Sequence, residues 1–133
     1  MRFLLDTNAV SNLIREPQGG VAERIKALGE NRVCTSILVA AELRYGATKM
    51  ASPRLSTQVE AVLNVIDTLP FDSPSDEAYG QIRTQLELAG TPIGGNDLLI
   101  AAQAITLDYT LVTDKESEFA RISGLRIENW LRK

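Results

Sequence analysis

The stretch Arg2-Phe3-Leu4-Leu5-Asp6-Thr7-Asn8 decides the fold, because an apolar strand runs directly into a polar triplet. We predict a strand over residues 2–5, with a carboxylate at its carboxyl end. Open α/β sheets keep their ligand sites at that end of the strands. The alternative is that Asp6 or Asn8 only caps the helix that follows. The triplet alone favours the cap, so a functional interpretation depends on finding other carboxylates in apolar surroundings.

Short apolar strands alternate with helical patterns along the rest of the chain. The further predicted strands are 32–35, 110–113 and 125–127, and residues 68–71 are predicted to form a brief strand or an extended turn. This alternation predicts an α/β fold with three layers, α/β/α, around a central, mostly parallel sheet. A length of 133 residues is typical of one domain, and we take residues 1–133 as a single domain.

Polar residues that precede the helical patterns mark where the helices begin. Ser36 is predicted to cap a helix over 37–50, and Ser52 precedes a helix with Pro53 in its first turn. The segment 73–76 fits a capping box in which Ser73 caps and Asp76 reaches back. Asn96 is predicted to cap a very apolar helix over 97–107. The remaining predicted helices are 9–14, 21–28 and 116–122.

Composition excludes several kinds of chemistry. The chain has no histidine, which excludes a Ser-His-Asp triad and imidazole acid–base catalysis, and it has no phosphate-binding glycine loop. The single cysteine, Cys34, lies in an apolar stretch and is predicted to be a core residue. No signal peptide or membrane span is evident, so we expect a cytoplasmic protein.

Two further carboxylates lie in apolar helices. Glu42 is in the middle of a helix that is apolar nearly all round, so we expect it to be buried and either paired with a cation or bound to metal. An ion pair with Arg44 is the structural alternative, although residues two apart do not share a helix face. Asp97 follows Gly94-Gly95-Asn96 in the first turn of its helix, where stabilisation by the helix dipole is the alternative.

A second apolar strand also ends in acidic residues. Thr113 is followed by three candidates for a fourth acid, namely Asp114, Glu116 and Glu118. Carboxylates brought to one edge of a sheet repel each other, so a cluster implies a compensating cation. With oxygen ligands only, that cation is expected to be Mg²⁺ or Mn²⁺. The net charge of −3 does not favour a nucleic-acid ligand, but setting aside four metal-binding acids leaves 13 acidic against 14 basic residues.

These motifs together resemble the PIN-domain ribonucleases, most closely the VapC toxins of bacterial toxin–antitoxin pairs. The resemblance covers essentially the whole chain. It is carried by Leu-Leu-Asp-Thr-Asn at 4–8, Ala-Glu-Leu-Arg-Tyr-Gly-Ala at 41–47, Pro-Ile-Gly-Gly-Asn-Asp at 92–97, Leu-Val-Thr-Asp at 111–114 and Gly-Leu-Arg-Ile-Glu-Asn-Trp at 124–130.

The resemblance implies a Mg²⁺-dependent endoribonuclease, with Mn²⁺ as the other candidate ion. Asp6, Glu42 and Asp97 match the family's best-defined acids, and Glu118 and Asp114 are ranked close together as the fourth, ahead of Glu116. Thr7, Asn8 and Thr113 match its accessory polar residues. It further implies a homodimer, inhibition by a cognate antitoxin, and an RNA substrate. Close relatives of this type cut initiator tRNA in its anticodon stem-loop.

Other functions compete with this one. A non-catalytic α/β metal-binding signalling or interaction module would share the length and the acids, but a receiver domain needs adjacent acids after its first strand, and Thr7 follows Asp6. A phosphatase with an acid-x-acid nucleophile is disfavoured because position 8 is Asn. Arg44, Lys49 and Lys115 are candidates for positioning an RNA backbone, although ordinary solvated charge is the favoured explanation for any single one of them.

Overall fold

A computed structural model describes residues 1–132 and contains a five-stranded, wholly parallel sheet. The strands are β1 (Phe3–Leu5), β2 (Val33–Ser36), β3 (Asp67–Leu69), β4 (Thr110–Val112) and β5 (Ile127–Glu128). Every residue of β1 and β4 is buried. Because successive side chains point to opposite faces of a strand, helices must cover both faces of the sheet. The predicted α/β/α arrangement is therefore confirmed.

Within residues 1–132, seven α-helices connect and cover the strands. They are α1 (Thr7–Arg15), α2 (Gly20–Leu28), α3 (Ile37–Lys49), α4 (Pro53–Val65), α5 (Ser75–Leu88), α6 (Gly95–Leu107) and α7 (Glu116–Phe119). Residues Glu30–Arg32 form a short 3₁₀ helix, so the second strand begins one residue later than predicted. The last strand is also displaced, to Ile127–Glu128 from the predicted 125–127.

The order of the strands places a crevice beside β1. The sheet runs β3-β2-β1-β4-β5, so the chain winds in one direction from β1 to β3 and in the other from β4 to β5. The point between β1 and β4, where the winding reverses, is where doubly wound sheets bind ligands. Asp6 follows β1 there, and its backbone N–H donates to the carbonyl of Val112 in β4 at 3.1 Å.

The predicted cap of α3 and the predicted start of α4 at Pro53 are confirmed. The Ser36 hydroxyl accepts a hydrogen bond from the Leu38 N–H at 3.0 Å. The Ser52 hydroxyl accepts from the Leu55 N–H at 3.1 Å, and Pro53 is the first residue of α4.

The other two predicted caps are wrong. α5 begins at Ser75 with Pro74 in the capping position, so Ser73 lies one residue too early to cap it and no side-chain cap forms. α6 begins at Gly95 with Gly94 in the capping position, which places Asn96 inside the first turn. In both cases the helix begins at a different residue from the one that the capping pattern predicted.

The core is aliphatic, as the low aromatic content requires. Cys34 is fully buried in it, and burial raises the pKa of its thiol to about 11, which keeps it protonated. This confirms Cys34 as a core residue. The carboxyl-terminal segment covers the core beside β1, because Trp130 is buried against Phe3 with ring centroids 5.2 Å apart. Gly20 allows that close approach, since a Cβ there would lie 2.6 Å from the carbonyl oxygen of Trp130.

Candidate active site

Asp6 is both a helix cap and a buried acid. Its Oδ1 accepts a hydrogen bond from the Ala9 N–H at 2.9 Å, so it caps α1 as the structural alternative predicted. Its side chain is nevertheless only 1% exposed. Burial, reinforced by the negative charges of Asp114 and Asp97, raises the pKa of Asp6 to about 6, against the hydrogen bonds from Thr113 and Ala9. A buried acid with like charges nearby is typical of a functional site.

Glu42 is held from α1 rather than by a cation. The Thr7 hydroxyl donates to its Oε1 at 3.0 Å, which joins Glu42 to the residue that follows Asp6. The alternative partner, Arg44, instead makes a bidentate pair with Glu60 of α4. The prediction that Glu42 lies in a helix buried nearly all round is wrong, because Tyr45 of α3 is 66% exposed and Glu42 itself is half-buried.

Asp97 is paired with a lysine from the end of β4. The Lys115 ammonium donates to Asp97 Oδ2 at 3.0 Å, and the Asp97 side chain is only 16% exposed. Burial alone would lower the pKa of Lys115, but the hydrogen bond to Asp97 and the charges of Asp97, Asp6 and Glu118 outweigh it and raise the pKa. Lys115 thus interacts electrostatically with three of the predicted acids.

The three candidates for the fourth acid have different surroundings. Asp114 is exposed, and its Oδ1 accepts from the Asn8 side-chain amide at 2.9 Å. Glu118 is half-buried and lies within electrostatic reach of Lys115. Glu116 forms an ion pair with Arg132, so its carboxylate already has a cationic partner. Asp114 and Glu118 therefore both remain candidates, and Glu116 stays behind them.

The accessory polar residues and the basic candidates also differ in where they lie. Thr113 is fully buried, and its hydroxyl accepts from the Lys115 N–H at 3.0 Å. Lys49 lies over the ring of Tyr45, 5.8 Å from its centroid, at the far end of α3. Of the basic residues proposed to position RNA, only Lys115 contacts a predicted acid. Its ion pair with Asp97 was not predicted, because the two residues are 18 positions apart.

The donor set suits a hard divalent cation in its chemistry. Asp6, Glu42, Asp97 and the two candidate fourth acids supply only oxygen atoms, which Mg²⁺ and Mn²⁺ prefer. Burial, together with the nearby charges of Asp114 and Asp97, raises the pKa of Asp6, and a bound cation would favour its charged form. As the side chains stand, with Lys115 on Asp97, no three acids among residues 1–132 converge closely enough to hold an ion.

An apolar groove lies away from the acids. It has a volume of about 690 Å³ and runs between the second half of α1, α2 and α4. Leu13, Ile25, Val62 and Val65 form much of its wall, and Val65 is 56% exposed. Exposed apolar surface of this kind is typical of places where a protein or another ligand binds. Within residues 1–132, no helix is long and apolar enough to cross a bilayer.

A wholly parallel sheet with carboxylates at its switch point defines a doubly wound α/β protein, a class that binds its ligands at that edge. Comparison with known proteins gives the family. The PIN domain model matches residues 3–125. The chain therefore belongs to the PIN domain family, and similarity over its full length places it with the VapC proteins.

Individual relatives match over almost their whole length. The chain is 37% identical to the tRNA(fMet)-specific endonuclease VapC of Salmonella typhimurium, with 98% of each chain covered. It is 36% identical to ribonuclease VapC2 of Rickettsia felis, again with 98% of each covered. The crystal structure of VapBC2 from Rickettsia felis, bound to a DNA fragment from its promoter, contains a chain that superposes with a TM-score of 0.92 at 35% identity, covering 98% of this chain and 99% of that one.

Proposed function

We propose that this protein is a Mg²⁺-dependent endoribonuclease and the toxin of a toxin–antitoxin pair. The observation that carries the proposal is the buried Asp6 at the switch point, with Asp97, Asp114 and Lys115 within electrostatic reach of it. The family relationship adds that full-length relatives are named as ribonucleases and endonucleases. A carboxylate edge without histidine suits hydrolysis assisted by a metal and excludes attack by a 2′-hydroxyl that histidine activates.

Each acid has a proposed role. Asp6 and Asp97 would hold Mg²⁺ directly, or Mn²⁺ in its place, and Glu42 with either Glu118 or Asp114 would complete the binding of the ion. When bound, a divalent ion lowers the pKa of a coordinated water and offsets negative charge that develops on the phosphate. Thr7 orients Glu42 through the 3.0 Å hydrogen bond. Thr113 hydrogen bonds to Asp6, and Asn8 orients Asp114.

The substrate that we propose is tRNA, with the anticodon stem-loop of initiator tRNA as the first candidate. The support is the 37% identity to a protein named as a tRNA(fMet)-specific endonuclease. Hydrolysis by a water molecule would leave a 5′-phosphate and a 3′-hydroxyl. Because the substrate is tRNA, the protein would act in the cytoplasm.

We assign the apolar groove between α1, α2 and α4 to the antitoxin. Solved relatives are VapBC complexes, so a protein partner is the expected occupant of an exposed apolar surface on this chain. The groove walls are aliphatic, with Lys26 and Glu30 among its lining residues, which fits an amphipathic segment of a partner. Inhibition would then require the antitoxin to reach from this groove to the carboxylate edge at the start of α1.

The test is cleavage of purified tRNA by the purified protein, freed of antitoxin. Discrete fragments in Mg²⁺ that disappear in EDTA are the expected result, and sequencing of the fragment ends reports the 5′-phosphate. Fragments that form equally well in EDTA would exclude the metal-dependent mechanism. A folded protein that cuts no RNA in Mg²⁺ or Mn²⁺ would favour the non-catalytic interaction module.

A further inference from the structure

Lys115 places a positive charge among the candidate acids at the carboxyl edge of the sheet. Its ammonium lies 3.0 Å from Asp97 Oδ2, and the side chains are 37% and 16% exposed. Among residues 1–132, no other basic side chain forms an ion pair with any of the candidate acids, which are Asp6, Glu42, Asp97, Asp114 and Glu118. The negative charge of this edge is therefore offset within the described chain by a single ammonium group.

The backbone of Lys115 is fixed, whereas its side chain has freedom to move. Its N–H donates to the Thr113 hydroxyl at 3.0 Å, and its carbonyl accepts from the Phe119 N–H at 3.2 Å, where it caps α7. A lysine ammonium is a compact charge on a flexible four-carbon stem, unlike the rigid fork of arginine. The ammonium can thus leave Asp97 without any rearrangement of β4 or α7.

We propose that Lys115 is a tethered cation, which binds Asp97 in the metal-free protein and yields that carboxylate to the divalent ion. Once displaced, the ammonium remains at the same edge and binds the RNA phosphate. The first half rests on the proposed binding of a divalent ion by Asp97 and concerns the exchange of one cation for another on that carboxylate. The second half rests in addition on the proposed ribonuclease activity.

The Lys115 ammonium and the divalent ion compete for Asp97, so the exchange is measurable as a change in metal affinity without any catalysis. A divalent ion that binds Asp97 must displace the ammonium and then tolerate its positive charge nearby. Both effects weaken binding of the ion. Removal of the ammonium therefore strengthens metal binding, whereas a residue that merely supports the local fold would weaken it when removed.

The experiment is calorimetric titration of the purified protein with Mn²⁺ alone. Lys115→Gln is expected to bind Mn²⁺ about two- to fivefold more tightly than the wild type, a range typical of a partly exposed ion pair. Lys115→Met, which keeps most of the aliphatic stem, has the same expectation and serves if the Gln variant folds poorly. Lys115→Arg keeps the charge and is expected to bind no more tightly than the wild type.

Arg54→Gln is the matched control, since it removes one positive charge from an exposed position near the start of α4. Its Mn²⁺ affinity is expected to equal that of the wild type. Unchanged or weaker binding of Mn²⁺ by both Lys115→Gln and Lys115→Met would overturn the exchange. Tighter binding by Arg54→Gln to the same extent would overturn it as well, by assigning the effect to net charge.

The second half of the proposal is tested by kinetics on tRNA at saturating Mg²⁺. Lys115→Gln is expected to raise KM about threefold or more while kcat changes by less than twofold, because a phosphate contact is lost. An unchanged KM would overturn the role in binding phosphate. If the wild type cuts no RNA, the proposed function fails, and the Mn²⁺ titration still decides whether Lys115 competes for Asp97.

Discussion

At the scale of single residues, Asp6 connects stability to function. Its carboxylate is buried, and the ionised form has no ion-pair partner among residues 1–132. The pKa is raised from 3.8 to about 6, so the folded protein holds this proton more tightly than the unfolded chain does. In metal-free protein, ionisation of Asp6 therefore lowers the free energy of unfolding as the pH rises from about 4 to about 6. Above that range the destabilisation is complete, at about 3 kcal/mol.

The corresponding prediction concerns Asp6→Asn in EDTA. Asn caps a helix as well as Asp does and carries no charge to bury, so the variant is expected to be more stable than the wild type by up to about 3 kcal/mol at pH 7.5. Urea denaturation at pH 4.5 and pH 7.5 measures the difference, which shrinks at the lower pH. A variant that is less stable than the wild type at pH 7.5 would show that burial of the charge is not the dominant effect.

Sequence reasoning identified individual acids but not their partners. Asp6 was found because an apolar strand ends at it, and that local pattern fixes its burial. The predicted burial of Glu42 is wrong, because a run of apolar residues in α3 does not reveal that Tyr45 is exposed. The pair between Lys115 and Asp97 has no local signal, because it depends on how α6 and the end of β4 meet in space.

At the scale of elements, two serines that precede helices, Ser52 and Ser73, provide a matched pair. Ser52 caps α4 through the Leu55 N–H, whereas Ser73 makes no cap bond to α5. Ser52→Ala is therefore expected to lower the free energy of unfolding by about 1 kcal/mol, and Ser73→Ala to change it by less than about 0.5 kcal/mol. Chemical denaturation of both variants measures this. Equal losses would contradict the conclusion that Ser52 caps its helix and Ser73 does not.

The groove formed by α1, α2 and α4 makes a second prediction at this scale. Ala61 lines the groove from an exposed position on α4, so a charged side chain there is compatible with folding. Ala61→Glu is expected to weaken antitoxin binding by tenfold or more while tRNA cleavage by the free protein is unchanged, because burial of an unpaired carboxylate is costly. Affinity measurements with the cognate antitoxin test this.

Two outcomes would count against that assignment of the groove. Antitoxin binding that is unchanged in Ala61→Glu would move the interface elsewhere. Loss of cleavage together with loss of binding would indicate damage to the fold. Gly80→Ala is a suitable control, because a Cβ at this position of α5 meets no atom within 4 Å.

Helices and strands with strong local sequence patterns were predicted most accurately. The helices with long apolar patterns, such as α6, were found with ends within two residues of those observed. Their first residues were less certain, because Ser73 and Asn96 match the preferred capping residues without occupying the capping position. Where the chain enters a helix depends on its path from the preceding strand, which local patterns do not specify.

At the scale of the whole molecule, the order of the strands brings the acids together. β1 lies between β2 and β4, so the ends of β1 and β4 meet at the switch point while α3 and α6 deliver Glu42 and Asp97 nearby. Alternation of strands and helices predicted the class of fold, since parallel strands require helical crossovers. It did not predict which strands are neighbours. The homodimer remains a prediction, which light scattering of the free protein would measure.

The measurement that tests the central claim most directly compares two variants of one helix. Asp97 lies in the first turn of α6, and Asp108 follows its last residue, 84% exposed and in a left-handed conformation that Asn tolerates well. Asp97→Asn is expected to lower the rate of Mg²⁺-dependent tRNA cleavage by 100-fold or more, whereas Asp108→Asn keeps the wild-type rate. Full activity in a folded Asp97→Asn protein would contradict the account of a catalytic carboxylate centre at this edge of the sheet.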